Sequence, residues 1–332
     1  MTVTASFDYS RTGAQVIDAA LRKLGVLAEG QSSTTAQNTA ALEALNLMIK
    51  AWSTKGFIAH QVRTLYVYPE ATVAVDPSQT GITQLDIGSA SGDTEASLEL
   101  GLTKLSAAEA ASQTALSVST TAAIDVFGTT ANSDVVGIEL DNGDIQWTTI
   151  SSGGGTTEIT VATAIATAAA SGNRVYFFTA RPQRPEEILD CWLVKAVDGT
   201  RRLLELSSEQ EMLSLNQTTQ GDPIKWNYRL MLDDGILRIW PGWEDGKSYI
   251  EARVLYPFDD MDATSDTFAF PNTHYEALVY GLAVRLAPEY KYSIEERMIL
   301  KQEADAMIEA AFAHLTEGTS LFVQPDLSYH AR

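Results

Sequence analysis

The sequence predicts an α+β protein. Its expected form is a discontinuous α-helical bundle built from N- and C-terminal helix pairs, with a large inserted β-rich region of antiparallel sheets, barrel or sandwich. Three observations predict it. Apolar residues recur at helical spacing over 1–60 and again after 266. Between these ends the helical period vanishes, and Ser, Thr, Gly and alternating apolar residues replace it. Neither helix pair can bury its apolar stripe alone, so the two pairs are expected to pack on each other. The chain, at 332 residues, is also longer than one core usually serves. The expected divisions are a helical domain from 1–60 and 266–332, a β-rich domain from 61–86 and 176–265, and an inserted β module at 87–175.

In chain order, a first helix is expected over about 12–24, with Val16, Ile17, Ala20, Leu21 and Leu24 on one face and Gly25 as its stop. After the polar link QSSTT, a second spans about 35–55, where Leu42, Leu45, Ile49 and Trp52 form the stripe and Gly56 ends it. From Arg63 to Val75 the pattern is extended. A short helix is expected around 103–111, TKLSAAEAA. The run VVGIELDNGDIQWTTI places two strands around Asn142–Gly143, a hairpin signal, and EITVATAI and NRVYFF follow as strands. Another hairpin is expected on Asp234–Gly235 within RLMLDDGILRIW, and a capped helix near 208–215. Thr273 and Glu276 have capping-box spacing before a helix over 273–287, which Pro288 ends. Ser293 and Glu296 repeat the box before a last helix, which lines up Leu300, Ala304, Met307, Ile308, Ala311 and Leu315.

The net charge is −20, and 61–180 holds three bases against thirteen acids. A nucleic-acid grip needs clustered Lys and Arg, so this balance argues against one. Arg181, Arg184, Arg201 and Arg202 are interleaved with Glu186, Glu187, Asp190 and Asp198, which points to ion pairs and not to a DNA track. The opening residues lack the apolar core of an export signal, and no stretch approaches a membrane span. One cysteine, Cys191, excludes an internal disulfide and is expected as a small apolar residue in a strand. A reducing cytosol is the expected place of synthesis.

No motif carries catalysis. His60, His274, His314 and His330 are scattered, without metal-ligand spacing. Gly246-Lys247-Ser248 mimics the end of a phosphate loop, but Pro241 stands where that motif needs glycine, and a strand follows. The run SSGGGTT at 151–157 leads into a strand and lacks a lysine. Asp259, Asp260, Asp262 and Asp266 lack the glycine and the terminal glutamate of an EF-hand, so a solvated acidic linker explains them. No serine has a His–Asp partner by sequence. No catalytic residue, metal ligand or cofactor is expected. The remaining candidate is the tail after Gly318, where Leu321, Phe322, Val323, Pro325, Leu327 and Tyr329 form an apolar, non-periodic segment suited to gripping a partner.

Three phrases then resemble one family. IDAALRKLGVLAEG with ALEALNLMIKAWSTKGF is similar to the N-terminal helix pair of head-to-tail adaptors from tailed bacteriophages, also called head-completion, packaged-DNA-stabilisation or tail tubular A proteins. FPNTHYEALVYGLAVRLAPEY, with the helix after it, resembles their second helical half. GDPIKWNYRL…GILRIWPGWEDGKSYIEARVLYPFDDMD resembles the middle of the longer members. The stretch from about 87 to 175 departs from the compact adaptors. The resemblance implies a structural virion protein at the head–tail junction. It would form a homo-oligomeric ring, typically a dodecamer, docked under the portal protein, and meet a tail nozzle, tail hub or tail tube protein below. Genomic DNA would pass through its lumen without sequence-specific binding, retained after packaging and released at ejection. The family's C-terminal segment grips the portal. Two other readings stand beside it: a β-rich receptor-binding adhesin, suggested by the Ser/Thr/Gly-rich stretch, and a hydrolase on a β scaffold.

Overall fold

The structure, a computed structural model, describes residues 10–53, 62–68, 84–88, 95–119, 135–153, 157–179, 181–216, 219–232, 234–243, 247–256, 260–268 and 274–312. It is a mixed α+β protein with mostly antiparallel sheets. The chain divides into two compact units, Met1–Gln61 with Pro257–Arg332, and Val62–Tyr256.

The first unit is helical. Thr12 caps α1 (Gly13–Lys23) by a reciprocal exchange: the Gln15 N–H donates to the Thr12 hydroxyl, and the Thr12 N–H donates to the Gln15 side chain. Gly25, at φ 63°, supplies the left-handed residue that stops it. Thr34 and Gln37 make the same exchange ahead of α2 (Thr35–Ser53). Ser293 and Glu296 form the expected box ahead of α5 (Ile294–Phe312). Thr273, half of the box expected with Glu276, lies outside the described residues. α4 runs Tyr275–Leu286, and its N-cap is His274, which makes no side-chain capping bond.

One buried core joins both ends of the chain. Ile17, Leu21, Leu45, Ile49, Trp52, Leu278, Leu282, Leu286 and Ala311 belong to it, with Leu42, Leu300, Met307 and Ile308 packed at its margin. α2 crosses α4 at Gly281, where an added Cβ would lie 2.8 Å from the Met48 Sδ and 3.2 Å from the Trp52 ring. Glycine is therefore what lets Trp52 reach the α4 backbone. Asn46 fastens the segment before α4, accepting from the Met261 N–H and donating to its carbonyl.

Among the described residues, the second unit is built of three sheets. The central one is antiparallel and ordered β11-β10-β15-β1-β3, from β1 (Val62–Val67), β3 (Ala96–Ser97), β10 (Glu187–Lys195), β11 (Arg201–Leu203) and β15 (Ser248–Leu255). On one face it shares a core with a four-stranded sheet ordered β12-β13-β14-β2, formed by β2 (Gln84–Ile87), β12 (Glu205–Leu206), β13 (Lys225–Leu230) and β14 (Gly235–Trp240). Leu65, Cys191, Ile250 and Ala252 from the first sheet meet Leu85, Trp226, Leu237 and Ile239 from the second. Ser208 caps the short α3 (Glu209–Ser214) beside β13.

The third sheet contains β4 (Leu102–Lys104), β5 (Ala115–Ser117), β6 (Val135–Glu139), β7 (Ile145–Ser152), β8 (Glu158–Val161) and β9 (Arg174–Phe178), in the order β4-β9-β6-β7-β8-β5. Its two edges meet: Ser106 N–H donates to the Ser117 carbonyl, and Ser119 N–H to that of Lys104. The sheet thereby closes on itself as a small barrel filled by Leu116, Val136, Ile138, Ile159, Val175 and Phe177. The helix expected over 103–111 is absent. Leu105 and Glu109 are held in bridges to Val118 and Ala169, and this long-range pairing outweighs the local helix propensity of Ala and Glu.

Two loops of the barrel are copies of one conformation at a constant offset. Glu109 and Ala169 exchange both backbone hydrogen bonds. Ser112 N–H reaches the Ile165 carbonyl as Gly172 N–H reaches that of Leu105. Ser112 and Gly172 both have positive φ, at 69° and 94°.

The barrel spans 102–178, not 87–175: Ile87 and Ala96 belong to the two other sheets. It lies against the second face of the central sheet through a buried aromatic seam. Tyr68, Val194 and Tyr249 from the sheet side meet Ile145, Tyr176 and Phe178 of the barrel, with Trp147 and Trp192 alongside. Tyr68 stacks on Phe178 at 6.0 Å, accepts from the Gly101 N–H, and donates to the Glu99 carbonyl. Covered on both faces, β15 is buried at all but one position.

Candidate functional site

The helical unit carries a recess of about 350 Å³ between α1 and α4, lined by Arg11, Ala19, Lys23, Tyr275, Glu276, Val279 and Tyr280. The capped start of α1 sets Arg11 at its mouth, and the last turn of the same helix brings in Lys23. Lys23 donates to the Tyr280 hydroxyl at 2.9 Å and lies 4.6 Å from the centre of that ring. The Tyr280 hydrogen bond pushes its ammonium pKa up, against a smaller downward pull from desolvation. Two cations, two phenols and one carboxylate with an apolar floor suit an acidic or amphipathic side chain from a partner. The set has no activated nucleophile and no paired carboxylates for acid–base work. Nothing in the sequence marked it, because Arg11, Lys23 and Tyr280 become neighbours only when α1 meets α4.

The residues singled out by sequence fall as follows. Leu321, Phe322, Val323, Pro325, Leu327 and Tyr329 lie outside the described residues, as do His60, His314 and His330. His274 is buried at the start of α4. Among the described residues no group of three or more His, Cys, Asp or Glu is placed to hold a metal ion. Asp260 pairs with Lys50 at 2.9 Å, and Asp266 accepts from the Ala263 N–H in its own turn. Ser248 opens β15 and is buried, so the strand that rules out a phosphate loop is present. Cys191 faces the sandwich core in β10, and burial pushes its thiol pKa well up.

The four arginines are engaged within the chain. Arg181 contacts both oxygens of Glu95 at 2.7 and 2.8 Å, and Arg201 meets Glu251 at 2.6 Å. Arg184 and Arg202 donate to the Met231 and Pro223 carbonyls. These partners are distant in sequence, and of them only Glu251 belongs to a strand, β15; Asp190 pairs with Arg253.

The hairpin expected on Asp234–Gly235 turns slightly earlier. Met231 N–H donates to the Asp234 carbonyl, and Gly235 is already paired with Leu230 in the ladder. Its glycine is needed for space: an added Cβ would lie 2.0 Å from the Tyr228 hydroxyl. Tyr228 in turn donates to the Pro185 carbonyl at 2.6 Å, and its pKa is pushed up to about 12 by burial.

Among the described residues no helix is long and apolar enough to cross a membrane. In comparison with known proteins, the chain matches no protein-family model and no curated protein.

Proposed function

We propose that this protein is a head-to-tail connector of a tailed bacteriophage, a non-enzymatic ring subunit that docks under the portal, extends the DNA channel and offers a platform to the tail. The observation that carries the reading is the single core shared by α1, α2, α4 and α5. Helices from the two ends of the chain act as one discontinuous adaptor domain, as the resemblance of the three sequence phrases implies, and the β unit is the insertion between them. The charge of −20 supports the same reading. A predominantly acidic wall repels phosphate, so DNA slides past without being held. The apolar tail segment around Phe322 and Tyr329 serves as the grip on the portal or on a neighbouring subunit.

The test is native mass measurement and negative-stain imaging of the purified protein, alone and mixed with a portal ring. Rings, or rings stacked on portal rings, are the expected result. A protein that stays monomeric at every concentration and ignores the portal would overturn the proposal.

A further inference from the structure

The β13–β14 hairpin ends in three consecutive exposed apolar residues: Leu230, Met231 and Leu232, at 50, 42 and 85% exposure. Trp226 and Tyr228 alternate into the sandwich core, and Leu230 continues that inward alternation beyond the point where the opposing sheet covers it. The tip is braced. Arg184 donates to the Met231 carbonyl at 2.8 Å, Tyr228 holds the Pro185 carbonyl, and the turn closes between Met231 and Asp234. A braced tip gives up little conformational entropy when it binds. Asp234 closes the turn and adds negative charge beside the apolar peg.

A surface of matching character lies on the same unit. β11 is an open edge of the central sheet, and all three of its residues, Arg201, Arg202 and Leu203, are exposed. Leu203 is 61% exposed, and the Arg201 side chain stays 60% exposed even in its pair with Glu251. Peg and edge sit at opposite ends of β10: Pro185 precedes its start, while β11 pairs with Trp192–Val194 near its end. At about 3.4 Å per residue they are roughly 20 Å or more apart, so a peg cannot reach the edge of its own chain. Two complementary, non-identical patches on far sides of one unit are what a head-to-tail contact requires.

We infer that the Leu230–Leu232 peg of one copy seats on the Arg201–Leu203 edge of the next copy in the ring. This rests on the ring reading above. Three side chains fall well short of the roughly 800 Å² per partner of a stable stand-alone interface. The occupant is therefore a neighbour already held in place by other contacts, as an adjacent ring subunit is.

The experiment uses the full chain carrying Leu203→Cys and Leu232→Cys, with each single variant as control, treated with a short bis-maleimide. Cys191 is buried and adds little background. The double variant is expected to give a ladder of covalent multimers and the single variants mainly monomer. Leu232→Asp, an exposed substitution that leaves the fold intact, is expected to raise the concentration for half-assembly about tenfold or more. Rings that form with no ladder and with normal assembly of Leu232→Asp overturn this inference and leave the ring reading standing. Cross-linking of the peg to a portal subunit alone overturns it likewise. Failure to form rings under any condition removes the ring reading and this contact together.

Discussion

Trp52 shows how much of the helical core depends on one side chain. Its ring reaches the α4 backbone because position 281 is glycine, and it is almost fully buried. Trp52→Ala should cost about 3–5 kcal/mol, because the cavity it leaves is walled by Met48 and the α4 backbone and cannot readily collapse. Denaturant titration of the variant measures this, and a loss below about 1 kcal/mol would show that the ring is dispensable. Cys191 offers a second check at the same scale. Its thiol is inside the sandwich with a raised pKa, so the thiolate that a labelling reagent needs is scarce and shielded. Native protein should therefore react many times more slowly with an iodoacetamide probe than protein in guanidinium, and equal rates would mean that the sandwich opens readily. Both residues were legible in the sequence, Trp52 from the helical stripe and Cys191 from its strand. Gly281 and Gly235 were not. What each glycine makes room for is a ring brought in by another element, and no local pattern records that.

Among the elements, the barrel and its seam matter most. Helix caps at Ser208 and Ser293 were readable because capping is an exchange between a side chain and the backbone three residues away. The Asn142–Gly143 turn was readable for the same reason of locality, and Gly143 does take positive φ. The segment 103–111 misled, since Ala and Glu favour a helix whenever nothing else claims their backbone groups, and here Ala169 and Asn173 do. The equivalence of the two barrel loops was equally hidden. It lies in the backbone exchange and the positive φ, whereas the side chains differ, with Glu109 where the other loop has Ala169. The seam predicts the result of a deletion. Replacing 102–178 with a short linker would uncover Tyr68, Trp192, Val194 and Tyr249 on the central sheet. Burying each such side chain is worth about 1.5–3 kcal/mol, so the shortened protein should aggregate or lose several kcal/mol. Turning Trp192 and Tyr249 polar in the same deletion should recover solubility. A shortened protein that is soluble and as stable as the full chain, without those changes, would show the seam to be energetically idle.

For the molecule as a whole, the outline of helices at both ends around a β region follows from periodicity alone, because an apolar stripe announces a face that something must cover. What covers it on a neighbouring molecule is written in no such period. The tail after Gly318 is the clearest case: its apolar residues stand outside any repeat and outside the described residues. A chain ending at Gly318 should keep its thermal midpoint within a few degrees, since the last described core residue is Ala311. Under the proposed connector role, its affinity for portal rings should fall at least about tenfold. Sedimentation of a mixture reads both the ring and its portal-bound form, and undiminished portal binding would exclude the tail as the grip.

The shared core of α1, α2, α4 and α5 has a consequence for how the protein is made. α2 ends at Ser53 and α4 starts at Tyr275, so the N-terminal helices leave the ribosome long before the surface that completes them. At synthesis rates of about 5–20 residues per second, that interval is roughly 10–45 seconds. During it the stripe of Leu45, Ile49 and Trp52 has no native cover, while the β unit emerges and can already fold. Helical closure must then wait for the chain's last quarter, and it brings together contacts of high sequence separation, the slowest kind to form. A nascent chain stalled between these points is the form of this protein most in need of a chaperone.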